Sequence, residues 1–402
     1  MVSFSLNESQ LAIQDAVRKF VSNKVKGASV ALDLHAEADQ CVSQQIISEA
    51  MAMGLGGALI PEQYGGYGGN LMDYSIIIEE LAYGDAGMAD IFLVNISMAL
   101  LIYKFGSDAQ KETWLTKICG AENGGMILAG AMTEPSGGSE IFSPLAGKNN
   151  GVRTTATKTD QGYKLKGRKC FITNAGIADL YIVLARTDPT SSNLSGCSIF
   201  LVPADSDGIS FGSCEDKMGH RLSSVREILF EEVEVPMENR IGVEGAGFQV
   251  LMECYEGNGI GIGSSAIGLA RAAYDAALEY AKERVVWNEP IIQKESVAAK
   301  LVDMRMSIEA SRALVWKVAW AAQNGEEQQE LKNLSAMAKV QPSAMVRDVA
   351  IKAMEVFGGI GYMRGSVAEK YARDAMLYPI YDGTNDLLKR FIAQQLSATN
   401  QL

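Results

Sequence analysis

The sequence predicts a mainly α chain with a central β domain, ordered helical, β, helical along its 402 residues. Three observations predict it. Apolar residues recur at helical spacing through the first third. The middle switches to short runs of β-branched and aromatic residues separated by turn signals. From about residue 237 the helical period returns in long, alanine-rich stretches. The divisions expected are an N-terminal α domain at 1–124, a middle β domain at 125–236 and a C-terminal α domain at 237–402.

The first helix opens at Asn7, which can cap it, with Gln10 three residues on. Ile13, Val17, Phe20 and Val21 follow on one face. "SQQIISEAMAMGL" (43–55) and "MDYSIIIEELAYG" (72–84) repeat the amphipathic pattern, with glycine-rich "PEQYGGYGG" (61–69) as a loop between them. "TTATKTDQGYKLKGRKCFIT" (154–173) reads as two strands around a turn at Asp160, Gln161 and Gly162. "LYIVLART", "CSIFLVP" and "EILFEEVEV" are further strands by their β-branched content. Beyond them, helices are expected at 266–285, 295–324 and 334–359. Pro342 should kink the last, and Gly358 and Gly359 should stop it. Three helices in the last third predict a C-terminal bundle.

Composition narrows the function. The formal net charge is −12, which disfavours a nucleic-acid or anionic-membrane surface. Cysteines at 41, 119, 170, 197, 214 and 254 include no C-x-x-C spacing, so reduced and mostly buried thiols are expected. Two histidines, His35 and His220, leave no room for a histidine-based metal site or a Ser-His-Asp triad. The start, "MVSFSLNESQ", lacks a basic segment before an apolar one, so no signal peptide is read. The most apolar window, Ile91–Tyr103, is too short to span a bilayer. The expectation is a soluble, cytoplasmic protein.

Three stretches carry candidate chemistry. In "AMTEPSGGSE" (131–140), Pro135, Gly137 and Gly138 force an irregular loop with exposed N–H groups, and Thr133 and Ser139 add hydroxyls. Such a loop can hold a planar heterocycle or a phosphate, and it also reads as a plain interdomain turn. "KCFITNAG" (169–176) offers an apolar cover and Thr173 at a strand end; a buried strand would look the same. In "ERVVWNEPI" (283–291), Arg284 and Trp287 stand at i, i+3, on one helical face. An arginine can grip a pyrophosphate and a tryptophan can stack on a ring. A solvated Arg and a packed Trp are the plainer alternative.

The order and separation of these stretches, with "KMGHRLSSVREILFEEVEVPMENRIGVEGAGF" (217–248), "FGGIGYM" (357–363) and "YDGTND" (381–386), resemble the acyl-CoA dehydrogenase family over nearly the whole chain. The resemblance implies an N-terminal helical domain, a middle β-barrel-like domain and a C-terminal four-helix bundle, assembled as a homotetramer. It implies FAD between the β domain and the C-terminal helices. The flavin would be held by the loop around Met132, Thr133 and Ser139, with Ser139 also near the acyl-CoA. Phe171, Ile172 and Thr173 would lie along its ring. Arg284, Trp287, Gly358 and Gly359 would meet the FAD of a neighbouring subunit. Thr384 and Asn385 would contact the adenylate end. The family removes an α proton to a carboxylate and a β hydride to the flavin. A backbone N–H beside the carboxylate, at the loop of Gly383, helps hold the thioester oxygen. An electron-transferring flavoprotein is the implied electron acceptor.

Three positions depart from the family. Most relatives read Tyr-Glu-Gly-Thr where this chain has Tyr381-Asp382-Gly383-Thr384. Asp382 is one methylene shorter, so its carboxylate retreats by about 1.5 Å on a fixed backbone, while a base must reach within about 3 Å of its proton. The substrate sits deeper, or the backbone shifts, or the proton leaves from another position. Many relatives place Arg where Gly259 stands; its loss removes a cation near the base and opens volume for substrate. Asn258, near the position where branched-acid relatives carry their base, cannot serve as one. Asp90 falls on the helix that lines the acyl pocket, either facing water or acting as a second base. A branch acting on cyclohexane- and cyclohex-1-ene-carboxyl-CoA uses an Asp on that helix.

The expected function is therefore FAD-dependent dehydrogenation of an acyl-CoA, with a cyclic substrate and Asp90 as base under consideration. Ordinary α,β-desaturation of a short or branched acyl-CoA by Asp382 is one alternative. A flavin oxidase of the nitroalkane-oxidising type, which also carries an Asp in this loop, is another. A non-catalytic thioester-binding scaffold is the third, opposed by the intact flavin motifs.

Overall fold

The computed structural model describes residues 5–120, 124–143, 146–147, 149–325 and 327–399. Residues 1–4, part of the stretch read for a leader, lie outside them. Helices α1 (Glu8–Phe20), α2 (Lys26–Asp33), α3 (Gln44–Ala52), α4 (Leu71–Gly84), α5 (Ala86–Phe105) and α6 (Asp108–Cys119) precede the sheet. Asn7 and Gln10 form the expected reciprocal cap on α1. The apolar stretch around Ile91 is longer than the sequence window suggested. It belongs to the 20-residue α5, long and apolar enough to cross a membrane by length and composition, yet 78% of its apolar window is buried inside the protein. Its hydrophobicity is that of a core helix packed on all sides.

The middle region contains strands β1 (Leu128–Ala131), β2 (Thr155–Lys158), β3 (Gly162–Thr173), β4 (Leu180–Arg186), β5 (Cys197–Pro203), β6 (Ile209–Phe211), β7 (Val225–Pro236) and β8 (Arg240–Ile241). A short helix, α7 (Asn193–Gly196), separates β4 from β5. They form one sheet in the order β6-β7-β3-β2-β4-β5-β8, with β1 parallel to β4. Two amides stitch this sheet to α5. Asn95 Oδ1 accepts from Leu128 N at 2.6 Å. Asn174 Nδ2 donates to the carbonyls of Ile91 and Leu128 at 3.1 and 2.8 Å.

Four helices follow: α8 (Gly247–Glu283), α9 (Glu295–Gln323), α10 (Gln328–Phe357) and α11 (Val367–Ala375), then α12 (Asn385–Thr399). Helix α8 begins nineteen residues before the expected start and takes in "YEGNGIGIG". Its glycines permit close approach. A methyl at Gly259 or Gly263 would overlap the carbonyls of Ser335 or Ala338 on α10, and one at Gly261 or Gly268 would overlap Tyr74 or Glu79 on α4. Pro342 lies inside α10, which runs on to Phe357 and ends at Gly358 in a positive-φ conformation (φ 66°). All six cysteines are free.

Candidate active site

A cavity of about 90 Å³ opens where α5, the sheet, α8 and the loop before α12 meet. Met132, Thr133, Phe171, Ile172 and Thr173 form its β-domain wall. Leu93, Val94, Ser97 and Met98 come from α5, and Leu251, Cys254 and Asn258 from α8. Asp382 completes it. Six of the sequence-predicted site residues are thus brought together.

The β wall is positioned by a buried ion pair that sequence reasoning missed. Lys169 Nζ donates to Glu134 Oε1 at 2.8 Å and to the carbonyl of Met132 at 2.9 Å. Glu134 also accepts from the backbone N–H groups of Arg153 and Thr154. Burial opposes ionising Glu134, but Lys169 and these donors outweigh it and hold its carboxyl below the ordinary value. The pair clamps the 131–140 loop onto β3, and Cys170 N reinforces it by donating to the Thr133 carbonyl at 3.0 Å. Its strand neighbour Phe171 sits in a bulge, where the β3–β7 register shifts between Lys169 and Ile172. Positive φ (55°) there turns the ring outward, 67% exposed, at the cavity edge. An apolar platform backed by Ile172, with the hydroxyl-bearing Thr133 and Thr173 beside it, fits a flat heterocycle such as the isoalloxazine of FAD. Ser139 is exposed on the 3-10 turn Ser139–Phe142, away from the cavity lining.

Asp382 has left-handed backbone (φ 48°), as does Gly383 (φ 84°). Burial raises its carboxyl to about 6; the Asp90 charge pushes the same way, and Lys339 opposes both. Thr384 caps α12, its Oγ1 accepting from Leu387 N at 3.1 Å. Asn385 is buried, and its Oδ1 accepts from Lys339 Nζ at 2.9 Å.

Asp90 is neither on the surface nor in the cavity lining. It is 4% exposed. Its Oδ2 lies 2.6 Å from His220 Nδ1, and its Oδ1 accepts from the Tyr381 hydroxyl at 3.4 Å. His220 Nε2 donates to the carbonyl of Asp374 at 2.9 Å, which fixes a proton on that nitrogen. Burial works against charging this imidazole, but Asp90 outweighs burial and raises it above its ordinary value. His220 carried no site role in the sequence reading; its partner is 130 residues away in sequence.

Two expectations are corrected. Gly259 opens no volume for substrate: it faces α10, where any side chain would strike the Ser335 carbonyl, and Asn258 beside it lines the cavity instead. Arg284 and Trp287 share no helical face. Helix α8 ends at Glu283, and the β-branched Val285 and Val286 start a hairpin of β9 (Val285–Val286) and β10 (Glu289–Pro290). Trp287 and Asn288 form its two-residue turn with φ of 55° and 63°, the backbone that such hairpins require. This leaves Trp287 85% exposed. Gly358 and Gly359 have open space around them, and Ile360, Tyr362 and Met363 beside them are exposed.

Comparison with known proteins agrees with this layout. The acyl-CoA dehydrogenase N-terminal, middle and C-terminal domain families match residues 7–122, 129–233 and 245–397. A short-chain specific acyl-CoA dehydrogenase of Megasphaera elsdenii is 38% identical over 349 residues, covering 86% of this chain and 87% of its own length. The solved butyryl-CoA dehydrogenase of that organism superposes with a TM-score of 0.91 at 35% identity, over 98% of this chain and 100% of that one. A chain solved with the electron transferring flavoprotein of Acidaminococcus fermentans as its subject gives 0.89 at 34% identity, over 98% of this chain and 99% of that one. Sequence, fold and cavity lead to one conclusion: the chain belongs to the acyl-CoA dehydrogenase family, FAD-dependent oxidoreductases that act on CH–CH bonds.

Proposed function

We propose that this chain desaturates a short-chain acyl-CoA between Cα and Cβ, with Asp382 as the base that takes the α proton. The observation that carries the reading is Asp382 itself: a carboxylate in the wall of the cavity that Phe171 and Thr173 also line, raised to about 6 by burial. A base with that value is ionised at neutral pH and still accepts a proton readily. The names of the relatives, short-chain specific and butyryl-CoA dehydrogenase, support a short acyl group. Bound FAD supplies the hydride acceptor. Met132, Thr133, Phe171, Ile172 and Thr173 would hold its ring in place and keep water from one side of it. The backbone at Gly383 offers an N–H to the thioester oxygen, which acidifies the α proton.

In this reading a shifted loop answers the shorter side chain. Asp90 is the weaker choice of base, because His220 and Tyr381 already engage its carboxylate. For the same reason the cyclic substrate loses its main support. Electrons pass on to an electron-transferring flavoprotein in this reading. The chain assembles as a homotetramer in which Arg284, Trp287, Gly358 and Gly359 face the FAD of a neighbour; the exposed Trp287, Tyr362 and Met363 favour a covered surface there.

The test is Asp382→Ala assayed with butyryl-CoA and an artificial electron acceptor. Turnover should fall at least a hundredfold while flavin absorbance stays. Retained turnover would reject the assignment, and hydrogen peroxide formation in the wild type without added acceptor would favour an oxidase.

A further inference from the structure

Lys339 is the buried cation behind the base loop. Its side chain lies on α10, fully enclosed. The ammonium donates to the carbonyl of Gly383 at 2.7 Å and to Asn385 Oδ1 at 2.9 Å. These two acceptors flank Thr384, so one side chain pins the backbone just after Asp382 to a helix. The anion whose charge acts on Lys339 is Asp382, although the two form no direct salt bridge. We propose that Lys339 is a positioning residue for the reaction: it fixes the Asp382 loop through Gly383 and Asn385, and its charge keeps the Asp382 carboxylate ionised.

Four elements bring ionisable side chains coupled to the Asp382 charge, and of these side chains only Lys339 is a cation. Helix α5 presents Asp90, which opposes ionisation of Asp382. Helix α4 presents the Tyr74 phenol and the loop presents the Tyr381 phenol, both held neutral by burial. Helix α10 presents Lys339. His220 is spent on Asp90. Burial lowers Lys339 itself to about 8, and Asp382 partly restores it, so it remains charged where Asp382 titrates. Removing a nearby opposite charge in such a site moves a carboxyl by about one to three units. Gly259 adds to the arrangement. Its lack of a side chain lets α8 approach α10 at Ser335, one turn before Lys339. The cation expected at Gly259 from related sequences is absent, and Lys339 stands on the facing helix.

The inference rests on Asp382 as base, and the experiment separates the two. The pH profile of kcat/KM for butyryl-CoA is measured from pH 5 to 9 on flavin-loaded wild type, D382N, K339Q, K339M and K339R. K339Q keeps a donor without charge, K339M keeps the buried stem alone, and K339R keeps the charge. The acid limb should move up by at least about one unit in K339Q and K339M. At pH 6 this is a loss of about fivefold, disappearing by pH 9. K339R should restore the wild-type limb. A uniform loss at every pH, an unmoved limb, or K339R behaving like K339Q would overturn the proposal. So would failure of both uncharged variants to fold with flavin, which would assign Lys339 to the fold alone. Full activity in D382N would instead remove the underlying reading.

Discussion

The titration of Asp382 gives the sharpest prediction. Its carboxyl rises from 3.8 to about 6, chiefly through burial. At pH 7 about 90% of such a group is ionised, and at pH 5 about 10%. If it is the base, kcat/KM for butyryl-CoA should fall about tenfold between pH 7 and pH 5. An unshifted aspartate would lose less than about 10% over the same interval. The measurement is a series of initial rates with a dye acceptor, at fixed ionic strength, with flavin absorbance checked at each pH. Asp382→Asn should remove the limb and lower the rate by about a hundredfold or more, equivalent to about 2.7 kcal/mol or more in barrier. A flat profile from pH 7 to 5 in the wild type would refute the reasoning. So would an Asp382→Asn enzyme that keeps both its rate and its limb.

The same group makes a stability prediction of opposite sign to its catalytic one. Its folded value lies above its unfolded value, so its ionisation penalises the fold, and stability falls as pH rises from about 4 to 6. Asp382→Asn should therefore unfold at higher temperature than the wild type at pH 8, by up to roughly 3 kcal/mol, with the gap closing below about pH 4; equal melting curves at pH 8 would contradict it. Asp90→Asn leaves His220 buried without its partner, so it should destabilise by about 3–5 kcal/mol in thermal unfolding. It should also move the catalytic acid limb downward, because one of the charges raising Asp382 is gone; an upward move would contradict the geometry. Gly259→Ala should cost at least about 2 kcal/mol, since its methyl meets backbone rather than a side chain that can yield. An unchanged melting temperature would show that α8 and α10 separate more easily than their packing implies.

Much of the architecture was legible because it follows local periodicity. The caps, the amphipathic helices and the β-branched strands all appear near their expected places. The departures have two causes, one distant in sequence and one local. Helix α8 starts nineteen residues before the expected 266, and the glycines of "GNGIGIG" within it give α4 and α10 a bare surface to pack on. The i, i+3 spacing of Arg284 and Trp287 reads as a helical face, yet valines and a tight turn make it a hairpin. Within the site, the loop, the Phe171–Thr173 segment and Asp382 were marked by their types and order. Nothing local marks Lys169, Lys339 or His220. Each is an ordinary letter in its own segment and acquires a role only from a partner 35, 44 or 130 residues distant.

The stitches made by Asn95 and Asn174 bear on how any pH experiment here is read. Both are neutral amides bonded to backbone, and neither gains nor loses charge between pH 4 and 9. These two stitches between α5 and the sheet are thus indifferent to acid and little affected by salt. Acid can neutralise Asp382 without unlatching the wall that carries Phe171. Asp382 can change charge while these bonds hold, so the acid-sensitive contact of α5 to follow alongside the rate is the Asp90–His220 pair.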